Sequence, residues 1–129
     1  MNKLLTPLEL KVMNVLWKIK RGSVKDVLEK WPDGPLPAYN TVSTTVRILQ
    51  DKGFVDFATR GRGYEYFPAV GRLAYQKSLI TNVLENAFSG SVTSLVSALV
   101  DEEKISETEV CEIQELLNNL NSSNETNNR

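Results

Sequence analysis

The sequence predicts a mainly α chain with one small β-hairpin, and three observations carry that expectation. Apolar residues recur at helical spacing in successive segments. Midway, "FVDFAT" and "YEYFP" switch to strand composition around a glycine-bearing "RGRG". Hydroxyl residues followed three positions later by an acid mark several helix starts.

The first helix opens at "TPLE", where Thr6, Pro7 and Glu9 form a capping box with proline at the favoured first position. It spans about Pro7 to Lys20 and places Leu8, Val12, Val15, Leu16 and Ile19 on one stripe, with Met13 and Trp17 beside it. "RGS" breaks it. Ser23 with Asp26 starts a short second helix carrying Val24, Val27, Leu28 and Trp31, and "PDGPLP" ends that one.

The third helix covers "NTVSTTVRIL" and runs to about Lys52, where Gly53 supplies a left-handed cap. Threonine and serine are poor helix material, so this helix must draw its stability from Val42, Val46 and Leu49 packing on the first helix. Thr45 falls on the buried side. Three helices and a hairpin in this order give a winged helix-turn-helix over residues 1–70, with the third helix as recognition element and the hairpin as wing.

Beyond Pro68 only helices are expected. "RLAYQKSLITNVLENAF" puts Leu73, Ile80, Leu84 and Ala87 on one face; Ser91 caps a helix with Val92, Leu95, Val96, Leu99 and Val100 together; Ser106 and Glu109 open a last helix with Val110, Ile113, Leu117 and Leu120 inward. These three helices fill residues 71–120. "NSSNETNNR", residues 121–129, has no apolar face and reads as a disordered tail.

The 41% apolar and 24% charged content suits a soluble globular domain. The net charge of -1 hides a division: residues 1–80 hold 13 Lys+Arg against 7 Asp+Glu, and residues 81–129 hold 2 against 9. The first part is suited to a polyanion; the second does something else. No apolar run approaches the roughly 20 residues of a membrane span. The start "MNKLLTPLEL" meets proline and glutamate too early for a signal peptide. A cytoplasmic location without direct membrane binding is therefore expected.

Catalysis has few candidates. The chain has no histidine, no nucleophile with an adjacent base and no phosphate-cradling glycine loop, so no enzyme, cofactor or metal site is expected. The single cysteine, Cys111, excludes an internal disulfide and reads as a buried or half-buried spectator. Asp101, Glu102 and Glu103 read as a helix-start cap or a solvated face. Trp17 and Trp31 read as core anchors, and Tyr64, Tyr66 and Phe67 as strand packing.

On a helical wheel of the third helix, Val42, Val46 and Leu49 fall together, and Asn40, Ser43, Thr44 and Arg47 gather opposite, with Thr41 on a flank. Short hydroxyl and amide groups let a helix approach a groove closely: Asn suits adenine, Ser/Thr suit bases or phosphates, and Arg suits guanine or phosphate. A weakly polar surface helix is the plain alternative. Arg60 and Arg62 flank Gly61 at the hairpin tip, where guanidinium groups reach phosphates or a narrow minor groove, or simply keep a turn solvated. A protein-interaction module without sequence-specific DNA binding, working through the acidic half, remains the rival function.

"LTPLELKVMNVLWK", "YNTVSTTVRILQDKGFV" and "GRGYEYFPAV" together resemble the penicillinase repressor family of bacterial transcriptional regulators, of BlaI/MecI/CopY type. The resemblance spans about residues 4–120. It implies a cytoplasmic repressor that binds double-stranded operator DNA as a homodimer, one winged helix on each half of a pseudo-palindrome, with residues 71–120 as the dimerisation region. Leu84, Val92, Leu95, Val96, Leu99, Val110, Ile113 and Leu117 are the interface candidates, though an intramolecular core could claim any of them. Their apolar surface exceeds what a small winged helix needs. The resemblance also implies induction by a membrane sensor-protease system through cleavage at an Asn-Phe bond; the matching bond is Ala98–Leu99, where the residue types differ. The paired Cys-x-Cys motifs of the copper-responsive branch are absent.

Overall fold

Four helix starts are set by the caps the sequence names. In the computed structural model, which describes the backbone of residues 4–127 and the side chains of residues 4–122, α1 (Pro7–Ile19) begins where Glu9 N–H donates to Thr6 Oγ1 at 3.2 Å and Thr6 N–H donates to Glu9 Oε1 at 2.9 Å. The same reciprocal box opens α2 (Val24–Glu29) at Ser23 and Asp26, and α6 (Glu107–Asn127) at Ser106 and Glu109. Ser91 caps α5 (Val92–Asp101) by accepting from Ser94 N–H at 3.1 Å.

Helix α3 (Tyr39–Asp51) lacks a side-chain cap at its start and is secured at its end. Phe54 N–H bonds Leu49 C=O at 2.9 Å and Gly53 N–H bonds Gln50 C=O at 3.0 Å, with Gly53 at φ 84°. That is a complete Schellman closure, with buried Phe54 and Leu49 at its two ends. Strands β1 (Val55–Arg60) and β2 (Gly63–Pro68) pair antiparallel from Val55↔Pro68 to Arg60↔Gly63. Their two-residue turn has Gly61 at φ 61° and no positive φ at Arg62, the type II′ pattern that matches strand twist. Gly22 adds a bridge to the sheet edge, exchanging bonds of 2.9 and 2.8 Å with Tyr66.

The chain divides into two compact units, Met1–Asn82 and Val83–Arg129. In the first, Val12, Met13 and Leu16 of α1, Val27 of α2, Val42, Val46 and Leu49 of α3, and Phe54 form the fully buried centre. The first unit extends past the expected boundary at residue 70 because the start of α4 (Arg72–Ala87) packs on that centre. The face it uses differs from the expected one. Tyr75 and Leu79 pack inward, while Leu73 and Ile80 are 62% and 49% exposed. Tyr75 wins because its ring meets Phe54 edge-on at 5.6 Å and Trp17 at 6.0 Å, while its hydroxyl accepts from Leu5 N–H at 3.1 Å. Trp17 is fixed in turn by Nε1–H donating to Val70 C=O at 2.9 Å.

The second unit contains α5, α6 and the last turns of α4, and none of its described residues is buried. Cys111 is exposed rather than buried or half-buried, because among the described residues nothing covers that face of α6. The acidic run Asp101–Glu103 faces water, as one of its two expectations had it, and closes α5 instead of starting a helix: Lys104 N–H bonds Leu99 C=O and Glu103 N–H bonds Val100 C=O, with Glu103 held at φ 54°. Helix α6 continues to Asn127 through most of the segment expected to be disordered, since extending a formed helix costs far less than nucleating one; residues 128–129 lie outside the described residues. Among the described residues, no single helix is long and apolar enough to cross a membrane, and no group of three His, Cys, Asp or Glu gathers as a metal site.

Candidate nucleic-acid interface

Helix α3 divides its side chains as the helical period dictates. Val42, Val46 and Leu49 are fully buried; Asn40, Thr41, Thr44 and Arg47 are exposed, and Ser43 is half-buried at the edge of the outer face. Thr45 lies inside and satisfies its hydroxyl by donating to Thr41 C=O at 2.8 Å, one turn back. The outer face thus leaves its short polar groups exposed, while the inner face fixes their positions. Lys52, at the end of α3, is pinned to Glu9 of α1 by bonds of 2.7 and 3.0 Å. Burial pushes the Glu9 carboxyl up, but the hydrogen bonds from Lys52 and Thr6 and the Lys52 charge outweigh it and hold its pKa below the ordinary value.

The wing presents two chemically distinct faces, sorted by strand alternation. On one, Phe57, Tyr64 and Tyr66 form an aromatic cluster, with Phe57–Tyr64 edge-on at 5.2 Å and Phe57–Tyr66 at 6.4 Å. This face and α3 enclose a cleft of about 400 Å³ lined by Arg47, Gln50, Asp51, Phe57, Tyr64 and Tyr66. Burial raises the Tyr66 phenol and the Arg47 charge partly offsets it, so the hydroxyl stays protonated and available as a donor.

On the other face, Glu65 accepts from Arg60 Nη1 at 2.7 Å and from Arg21 Nε at 3.0 Å. Arg21 also lies 4.9 Å over the Phe67 ring. The two wing arginines are therefore unequal. Arg60, exposed but tied to Glu65, presents a half-neutralised charge; Arg62, exposed at the second turn position, has no ion pair among the described residues.

The sequence-predicted residues Asn40, Thr41, Thr44 and Arg47 share one exposed helix face, and Arg62 stands at the wing tip. Two exposed aromatic residues beside this face were not singled out from the sequence as candidates for it. Tyr39, the first residue of α3, is 56% exposed at the helix start, and Tyr64 is 53% exposed beside Arg47. The alternation of "YEY" across a two-residue turn is the signal that puts Tyr64 with Phe57 and Tyr66, and Glu65 with Arg60.

The proposed dimer candidates stand differently. Val92, Val96, Leu99, Val110, Ile113 and Leu117 are exposed and Leu84 and Leu95 half-buried, all in the second unit. The Ala98–Leu99 bond lies inside α5, so its backbone is helical.

The penicillinase repressor family model matches residues 5–119. MecI, the methicillin resistance regulatory protein of Staphylococcus aureus strain N315, is 26% identical over 110 residues, covering 85% of this chain and 89% of its own. The penicillinase repressor of Bacillus licheniformis is 24% identical over 109 residues, covering 84% and 85%. A solution structure of monomeric Bacillus licheniformis BlaI in complex with the blaP half-operator is 24% identical, with a TM-score of 0.49, and spans 58% of this chain and 92% of that one. With the family model matched from Leu5 almost to the end of the described side chains, the chain belongs to the penicillinase repressor family of DNA-binding transcriptional repressors.

Proposed function

We propose that this repressor acts in the cytoplasm as a homodimer on a pseudo-palindromic operator and blocks transcription by occupancy. Asn40, Thr41, Ser43, Thr44 and Arg47 enter the major groove, and Arg60 and Arg62 contact the flanking backbone or minor groove. The observation that carries this reading is the outer face of α3: short polar groups and one arginine, exposed on a helix whose other side is fully buried. Residues Leu84, Val92, Leu95, Val96, Leu99, Val110, Ile113 and Leu117 supply the interface with the second copy. A membrane sensor-protease system is the proposed inducing partner; because Ala98–Leu99 is helical, cleavage there requires α5 to open first.

The test is binding to the duplex upstream of the protein's own coding region and to a random duplex, at two salt concentrations. Arg62→Ala is expected to weaken both and flatten the salt dependence, whereas Asn40→Ala or Thr44→Ala changes the preference between them. Equal losses on both duplexes for all three variants would sink the assigned roles.

A further inference from the structure

A second cleft in the first unit, of about 620 Å³, shares no lining residue with the one beside the wing. Asn14, Val15, Trp17 and Lys18 of α1, Lys30 and Pro32 after α2, and Arg72 at the start of α4 line it. Three of these side chains are cations and none is a carboxylate. The ion pairs of the described residues are Arg21 and Arg60 with Glu65 and Lys52 with Glu9, so Lys18, Lys30 and Arg72 converge without a counter-charge.

Arg72 is also positioned in advance. Its guanidinium carbon sits 5.5 Å over the Trp17 ring, and Nη2 approaches Asn14 Oδ1 at 3.5 Å. Trp17 is itself held by its bond to Val70. A guanidinium is planar by resonance, and its contact with the Trp17 ring holds the orientation of that plane, whose paired N–H groups grip a carboxylate through two parallel bonds. Apart from Asn14, the rest of the lining is the apolar Val15, Trp17 and Pro32. A bare inorganic anion would leave that part unused. The volume falls in the range of about 300–1,000 Å³ common to small-molecule sites.

We propose that this cleft binds a small aromatic carboxylate, its acid group on Arg72, Lys18 and Lys30 and its ring against Trp17, Val15 and Pro32. The lining holds no Ser, Thr, Cys, His, Asp or Glu to act on a bound carboxylate, and its lysines serve as cations, so the site binds and does not transform its ligand. Such a ligand ties α1 and α4 to the segment that leads from α2 into α3, which gives a small molecule a physical route to the recognition helix.

Calorimetric titration of the full chain with 2-naphthoate tests the proposal, with 2-naphthamide and inorganic phosphate as comparison probes. Saturable one-site binding of naphthoate alone is expected, weakened about tenfold or more, or roughly 1.4 kcal/mol, in Lys30→Ala and Arg72→Ala. Lys18→Ala and Lys30→Ala change exposed side chains, and unaltered melting by circular dichroism establishes that they fold. Absence of saturable binding, equal binding of the amide or of phosphate, or unchanged affinity in these variants overturns it. So does loss of duplex binding in Lys18→Ala and Lys30→Ala without any naphthoate binding, which would make the cleft a surface for DNA phosphates.

Discussion

Lys52 Nζ lies 2.7 Å from Glu9 Oε1 and 3.0 Å from Oε2, joining the end of α3 to the first turn of α1. Glu9 is 5% exposed, so its charge depends on this partner and on the Thr6 N–H. Removing one member of such a pair leaves the other desolvated and uncompensated. Glu9→Gln retains the capping bond and deletes the charge; a loss of about 2 kcal/mol in chemical denaturation is expected. The folded pKa is depressed, so the contribution is present above the ordinary value of 4.5 and is lost as pH falls through the lower folded value. A stability curve of Glu9→Gln that falls as steeply as the wild type's over that acid range would contradict this.

Glu65 holds two arginines on the wing face opposite the one that lines the Arg47 cleft. Its carboxylate meets Arg60 at 2.7 Å and Arg21 at 3.0 Å, in a half-buried position that keeps the geometry fixed. Neutralising it releases cations without adding any. Glu65→Gln is expected to tighten binding to operator and random duplexes alike and to steepen the slope of log K against log salt by about one for each arginine that then reaches a phosphate. Binding titrations across four salt concentrations measure it; an unchanged slope would show that neither arginine reaches DNA.

The caps and the buried stripe of α3 were legible because they are local: Thr6 with Glu9, Ser23 with Asp26 and Val42 with Val46 and Leu49 meet through chain spacing alone. What escaped depends on partners distant in sequence. Helix α4 has two usable faces, and the choice of Tyr75 and Leu79 over Leu73 and Ile80 is made by the Trp17–Phe54 surface it meets. The unequal standing of Arg60 and Arg62 depends on hairpin register, which sets Arg60 against Gly63 and brings Glu65 diagonally beside it. Cys111 reads as internal from the amphipathic pattern of its helix, yet none of the described residues covers it.

Gly22 joins the end of α1 to the sheet, and its space is already taken. A Cβ there would stand 2.9 Å from Asp26 Cβ and 2.9 Å from Ile19 Cδ1. Ile19 can swing aside, but Asp26 is held by the Ser23 capping box and cannot move without loosening the start of α2. Gly22→Ala is therefore expected to destabilise the first unit by about 1–3 kcal/mol, the usual cost of overpacking. Urea denaturation measures this directly. A variant as stable as wild type would mean that α2 shifts freely against the sheet.

Val92 and Leu117 are the clearest tests of the second copy, because they are 58% and 54% exposed and so contribute little to any core within one chain. Val92→Asp and Leu117→Asp should leave each chain folded, with unaltered helical circular dichroism, while opposing association by placing a charge in an apolar contact. Sedimentation is expected to show dimer for the wild type and monomer for the double variant. The wild-type melting temperature should rise with protein concentration and the variant's should not, since association stabilises only the folded state. Operator affinity should fall by about a hundredfold or more, because two linked half-site contacts become independent ones. If the wild type sediments as a monomer at concentrations where it binds its operator, the exposed residues of α5 and α6 serve another partner and the two-copy reading fails.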